Sequence, residues 1–231
     1  MSGGIQFKVC GLTSLADAEF AGECGAGYLG FILHPGSPRK IPLDRFKVMA
    51  PRLAGRNKVA VSVEPTQAAL AAMIDAGFDR FQIHFGEGVP LSTVEEWART
   101  AGIDRLWLAP RLPAGAMLPA ALLPLAGTFL LDTFQPAGFG GSGRTGDWKG
   151  FAMQRRSHPS KTWILAGGLS PENVGTALAE TGARFVDVSS GVESAPGVKD
   201  HLKLQAFACA LRSGGEPPES LIREHRDQGT L

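Results

Sequence analysis

Charge of one sign is what this sequence most conspicuously lacks. Lys and Arg total 23 against 22 Asp and Glu, a net charge of +1. So even a balance gives no long-range attraction to nucleic acid or to an anionic membrane, and any anion must be held by a local site. Cysteine is scarce too: Cys10, Cys24 and Cys209 lie far apart, and three is an odd count. That pattern excludes a disulfide framework, and no Cys-x-x-Cys or clustered Cys/His spacing points to zinc. Long hydrophobic runs are missing as well. The most apolar one, "MLPAALLPLAGTFLL", has 15 residues and is broken by Pro119 and Pro124, too short and too interrupted to span a bilayer. The opening "MSGGIQFKVC" has neither the positive region nor the apolar core of a signal peptide. The expectation is a soluble, reduced, cytoplasmic protein with no nucleic-acid or membrane partner and no metal.

What is present is a rhythm. In 231 residues, 44% of them apolar, short β-rich runs recur eight times. They are "IQFKV" at 5–9, "YLGFIL" at 28–33, "KVAVSV" at 58–63, "RFQIH" at 80–84, "RLWLA" at 105–109, "TFLLD" at 128–132, "TWILA" at 162–166 and "RFVDV" at 184–188. Their centres stand roughly 22–34 residues apart, the length of a strand plus a crossover helix and two loops. Most intervals carry helix signals. "TSLADAEFAGECG" opens on Thr13 or Ser14 and stops at Gly25, and "PTQAALAAMIDAG" runs from Pro65 to Gly77. "STVEEWARTAG" offers Ser92 or Thr93 as N-cap with Glu95 or Glu96 placed for a capping box, and "SPENVGTALAETG" offers Ser170, Pro171 and a terminating Gly182. "GVKDHLKLQAFACALR" supplies the last long helix. The proline-rich interval 110–127 predicts a fifth helix that is short or distorted.

Eight such alternations predict an α/β fold of the (β/α)8 TIM-barrel type, a parallel eight-stranded barrel in one domain over residues 1–212. An open doubly wound sheet is the alternative, and the absence of a Gly-x-Gly-x-x-Gly fingerprint after the first strand counts against it. Residues 213–231, "SGGEPPESLIREHRDQGTL", shift to charged and Pro/Gly-rich composition and read as an appended tail.

A barrel of this type places its chemistry at the C-terminal ends of the strands. There the first strand delivers Cys10, the fourth His84, the sixth Asp132, and the seventh and eighth deliver Gly167–Gly168 and Ser189–Ser190–Gly191. Two glycine-bearing turns in adjacent loops favour a phosphate site, since glycine lets backbone amides close on an anion. One such turn alone would be no more than a tight βα connection. A buried cysteine is ordinarily a small hydrophobe, which is the reading for Cys24 and Cys209. Cys10 differs by standing at a strand exit before Gly11; with Asp132 across the mouth it offers a base and an acid. On spacing alone that pairing is a weak signal, because a strand-end aspartate is also a turn former. Arg39 in "PGSPRK" is either a solvated cation or a bidentate grip on a carboxylate. His84 reads as a satisfied strand-end histidine or a substrate contact. Asp187 inside the eighth strand needs a partner if buried, either backbone amides or a ligand hydroxyl.

At these positions the chain resembles the phosphoribosylanthranilate isomerases. The matching segments are "KVCGLTSLADA", "GYLGFILHPGSPRKI", "FQIH", "LLDT…GGSGRTGDW", "LAGGLSPENV" and "VDVSSGVESAPGVKD", in family order from residue 8 to about residue 212. The resemblance implies a (β/α)8 barrel, a monomer or homodimer, without metal or organic cofactor, acting on a small phosphorylated substrate in tryptophan biosynthesis. The implied reaction is an Amadori rearrangement of N-(5-phosphoribosyl)anthranilate to an open-chain aminoketose. It implies Asp132 as general acid and Cys10 as general base, and Arg39 beside the anthranilate carboxylate. It further implies a phosphate cradle around Gly141, Gly143, Gly168, Ser190 and Gly191, and a lid in the loop after Asp132. Three positions depart from the family pattern. Phe85 follows the strand-4 histidine where Gly is common, Arg144 stands where Lys is common, and Gly146 where an aromatic is common, so an altered rim and lid are expected. Two other classes remain in play. A barrel acting on the histidine-pathway aminoaldose would carry aspartates at both catalytic strand ends, which Cys10 opposes. An inactive binding barrel would not need both candidate catalytic side chains.

Overall fold

The computed structural model describes residues 4–113, 115–132 and 147–212. Eight parallel strands close into a barrel in sequence order: β1 (Gln6–Val9), β2 (Tyr28–Ile32), β3 (Asn57–Val63), β4 (Arg80–Phe85), β5 (Leu106–Pro110), β6 (Thr128–Leu131), β7 (Thr162–Leu165) and β8 (Phe185–Val188). Closure is made by β8 pairing in parallel with β1, Lys8 opposite Asp187 and Val9 opposite Val188. Each strand lies within a residue or so of the run that predicts it. The outer layer comprises α1 (Leu15–Glu23), α2 (Leu43–Met49), α3 (Gln67–Asp75), α4 (Leu91–Ala101), α5 (Trp148–Ser157), α6 (Val174–Thr181) and α7 (His201–Arg212). After β8 comes a small antiparallel hairpin of β9 (Glu193–Ala195) and β10 (Val198–Lys199).

Local chemistry explains several helix ends. Ser14 caps α1, its hydroxyl accepting from the Asp17 N–H, and Thr66 caps α3 in the same way. Gly182 ends α6 in the left-handed conformation at φ 63°, which costs glycine nothing. Two expected caps are corrected. Helix α4 already begins at Leu91, after Pro90, with no side-chain cap, so Ser92 and Thr93 lie inside the first turn. Helix α6 begins at Val174, and Ser170 lies before it in a turn whose N–H donates to the Asn173 side chain. Between β5 and β6 the only helical segment among the described residues is a 3-10 turn at Ala120–Leu125 containing Pro124, in line with the distorted fifth helix that the prolines predict.

Strand alternation sorts the side chains into two cores. Phe7, Val9, Phe31, Phe81, Ile83 and Phe129 point outward into the layer between strands and helices, where Phe46 stacks on Phe78 at 3.7 Å. The inward positions stack along the barrel axis. At the N-terminal end Tyr28, Trp107 and Phe185 form a plug, with ring centroids 4.9, 5.2 and 5.6 Å apart. Above it lie Val59, Val61, Leu130 and Ile164, then the polar side chains of Lys8, Gln82 and Asp187. These rings fill the N-terminal end of the interior, opposite the C-terminal mouth where such barrels place their chemistry.

Candidate active site

A cavity of about 500 Å³ opens at that mouth. Of the residues the sequence singles out, Cys10, Arg39, His84, Asp132, Gly168, Asp187 and Ser190 all line it. Gly191 adjoins the lining residue Ser190 without itself lining the cavity, and Gly141 and Gly143 lie outside the described residues, as do the expected lid and the 213–231 tail. Among the described residues no group of three or more His, Cys, Asp or Glu is arranged to hold a metal ion, and no helix is long and apolar enough to cross a membrane.

The floor is a charged cluster in which the sequence marks Asp187 and Cys10 but not Lys8. Lys8 on β1 is two residues before Cys10 at the strand's exit, so both point inward. Its ammonium is sealed from solvent and donates to Asp187 Oδ1 at 2.8 Å. Asp187 therefore has the partner its burial demands. A lysine fits inside the barrel because the neighbouring strand has Gly30 there: a Cβ on Gly30 would fall 2.7 Å from Lys8 Cε and 3.1 Å from Cys10 Cα. Burial pulls the Lys8 pKa down, but the charges of Asp187 and Cys10 outweigh it and hold Lys8 above the ordinary lysine value. Burial pushes the Cys10 thiol up, opposed by Lys8. Asp187 is likewise pushed up by burial and pulled back by Lys8. The geometry is thus a buried Lys8–Asp187 salt bridge lying beside Cys10.

On the opposite strand wall, His84 Nε2 lies 2.7 Å from Gln82 Nε2, and burial, with Lys8 and His34 nearby, pulls the imidazole down to about 4. His84 is therefore neutral at physiological pH. The Gln82 Oε1 atom is buried without a hydrogen-bond partner among the described residues, so the pair turns an open amide atom toward the barrel interior. Phe85, expected to alter the rim, points the other way. It is buried and packs edge-on against Trp97 of α4 at 5.7 Å, leaving the mouth to His84.

The glycine-bearing turns sit side by side on the rim. Gly167 and Gly168 take φ of 92° and 66°, which a side chain would resist. Asn173 braces their loop, donating to the Gly168 carbonyl at 2.8 Å and accepting from the Ser170 N–H at 2.9 Å. Ser190 and Gly191 open a 3-10 turn through Val192, whose first N–H groups have no acceptor inside the turn. A Cβ on Gly191 would overlap the Leu169 carbonyl oxygen, so the two turns touch backbone to backbone. Such converging amides suit a phosphate.

Arg39, from the loop after β2, reaches the same rim and is gripped by Glu193. Its Nε donates to Oε1 and Oε2 at 2.9 and 3.0 Å, and its Nη2 to Oε2 at 2.8 Å. Lys199 donates to Glu193 Oε1 at 2.8 Å and to the Ser189 carbonyl at 3.1 Å. Burial pushes the Glu193 carboxyl up, but Arg39 and Lys199 outweigh it and hold it below the usual carboxylate range. Three residues absent from the sequence reading, Lys8, Glu193 and Lys199, thus carry much of the site's charge. No local signal marks them: Lys8 alternates with the polar Gln6 in β1, and Glu193 and Lys199 stand in a loop-like run.

The family model described as "N-(5'phosphoribosyl)anthranilate (PRA) isomerase" matches residues 7–210. A curated relative from Cereibacter sphaeroides, "N-(5'-phosphoribosyl)anthranilate isomerase", is 36% identical over 223 residues, covering 90% of this chain and 99% of the relative. The crystal structure of phosphoribosyl anthranilate isomerase from Thermus thermophilus superposes with a TM-score of 0.78 at 32% identity, covering 90% of this chain and 99% of that one. A second solved structure holds that enzyme type in complex with reduced 1-(o-carboxyphenylamino)-1-deoxyribulose 5-phosphate; its TM-score is 0.69 at 27% identity, over 90% of this chain and 99% of the other.

Proposed function

The chain belongs to the N-(5'-phosphoribosyl)anthranilate (PRA) isomerase family and is an isomerase, and we propose that Cys10 and Asp132 carry its reaction. The proposed reaction converts N-(5-phosphoribosyl)anthranilate to 1-(2-carboxyphenylamino)-1-deoxyribulose 5-phosphate in tryptophan biosynthesis. Asp132, at the exit of β6, gives its proton to the furanose ring oxygen. The C1–O bond breaks as the nitrogen lone pair forms the C1=N bond of a Schiff base. Cys10, as thiolate, then takes the proton from C2, and the released electron pair forms C1=C2 while the C=N electrons return to nitrogen. Proton return at C1 and loss of the C2 hydroxyl proton leave the ketone. No electron leaves the substrate, so the chemistry needs no redox partner.

The remaining contacts follow from charge. The phosphate sits on the amides around Gly168, Ser190 and Gly191; Gly141 and Gly143, which the family resemblance adds, lie outside the described residues. Arg39 takes the anthranilate carboxylate. Asp187 and neutral His84 face the sugar hydroxyls. Lys8 makes the thiolate reachable, because an adjacent ammonium favours the charged form of the thiol.

One observation carries the reading: Cys10 and Asp132, from strands far apart in sequence, line one cavity whose rim holds two adjoining glycine-bearing turns. The test is the spectroscopic isomerase assay on purified protein. Cys10→Ser and Asp132→Asn should each lose roughly 10²–10⁴-fold in turnover. Undiminished activity in both variants removes the mechanism.

A further inference from the structure

The cation assigned to the substrate's carboxylate is not left to find its own orientation. We propose that Glu193 is a positioning residue for Arg39, and that through it the hairpin after β8 sets recognition of the aryl carboxylate without governing recognition of the phosphate. The inference rests on the reading of Arg39 as the carboxylate grip.

Arg39 follows "HPGSP" in a loop, and a long flexible side chain on a loop is a poor clamp unless something fixes it. Glu193 does so bidentately. It occupies Nε and one N–H of Nη2, at 2.9, 3.0 and 2.8 Å, which fixes the plane of the guanidinium. Of the guanidinium's five N–H groups, this leaves the Nη1 pair and the outer Nη2 proton for a second carboxylate. Glu193 is itself fixed, by Lys199 at 2.8 Å and by the Gly197 N–H at 3.3 Å. It begins β9, directly after the Ser190–Val192 turn of the phosphate cradle, so neighbouring but separate elements meet the two ends of the substrate.

Charge and positioning predict opposite signs here. Arg39, Lys199 and Glu193 together carry one net positive charge, suited to a single carboxylate. Glu193→Gln raises that to two, so Coulomb attraction alone predicts tighter binding of a carboxylate ligand. Loss of the bidentate grip predicts weaker binding. Glu193→Asp keeps the charge but shortens the reach, and on the positioning reading it weakens binding as well.

The experiment is titration calorimetry on the full chain with two probes. One is reduced 1-(o-carboxyphenylamino)-1-deoxyribulose 5-phosphate, and the other is ribulose 5-phosphate, which lacks the carboxyphenyl group. Glu193→Gln and Glu193→Asp should each weaken the first probe roughly ten-fold or more and leave the second within about two-fold of the unaltered protein. Unchanged or tighter binding of the carboxylate probe overturns the proposal. Equal weakening of both probes also overturns it, because that marks general loosening of the loop. Arg39→Met separates the two ideas. If it leaves the carboxylate probe unaffected, the reading of Arg39 fails and the inference with it. If it weakens that probe while the Glu193 variants do not, the inference alone fails.

Discussion

Lys8 and Asp187 meet inside the barrel, Nζ 2.8 Å from Oδ1, with the lysine fully sealed from solvent. Removing one partner leaves the other as an uncompensated buried charge. Lys8→Met should therefore cost about 3–5 kcal/mol in chemical denaturation, and Lys8→Met combined with Asp187→Asn should recover much of it.

The same ammonium opposes the burial that pushes the Cys10 thiol up. Without it the thiolate becomes rarer at neutral pH. The rising limb of kcat/KM in Lys8→Met should move to higher pH, with about ten-fold lost at neutral pH for each unit of displacement. A limb that stays in place in a folded variant refutes the coupling.

His84 has a depressed pKa, about 4 in the folded chain against roughly 6.5 unfolded. The unfolded chain binds more protons between those values, so stability falls as pH drops from about 6.5 toward about 4. The loss is at most ~3 kcal/mol, reduced because the ring is only partly buried where it lines the cavity. Replacement by Gln should flatten this part of a pH–denaturation series.

Phe85 is a core residue, 5% exposed, packed on Trp97. Phe85→Ala should cost about 3–5 kcal/mol of stability and leave KM for the substrate nearly unchanged. A change in KM without a change in stability would return Phe85 to the rim.

Gly191→Ala forces a methyl group onto the Leu169 carbonyl, and backbone on both sides must yield. Stability should drop by about 1–3 kcal/mol, and inhibition by inorganic phosphate should weaken as the two turns separate. Phosphate inhibition at full strength would detach these turns from the anion.

The strands were legible because their apolar runs are short, β-rich and bounded by glycine or polar clusters. The strand ends then placed Cys10, His84, Asp132 and the Gly168 turn at one mouth. Helix α4 was misjudged because Ser92 and Thr93 carry good capping side chains, while Pro90, with φ already fixed at −60°, takes the cap position. The charged partners were illegible for a different reason. Lys8 and Asp187 are 179 residues apart, and Arg39 and Glu193 are 154 apart. Only closure of β8 onto β1 turns such separations into contacts. Read alone, a glutamate in "GVESAPG" is a loop anion and a lysine in "QFKVC" is an edge residue.

Gly30 has a bearing on recombination between barrels. Its missing side chain is the room in which Lys8 lies, so the first two strands are matched like a key and its slot. A chimera that joins β1 of this chain to a second strand bearing any side chain at that position would evict the ammonium. Half-barrel grafts should therefore cross over after β2, where the matched pair travels together.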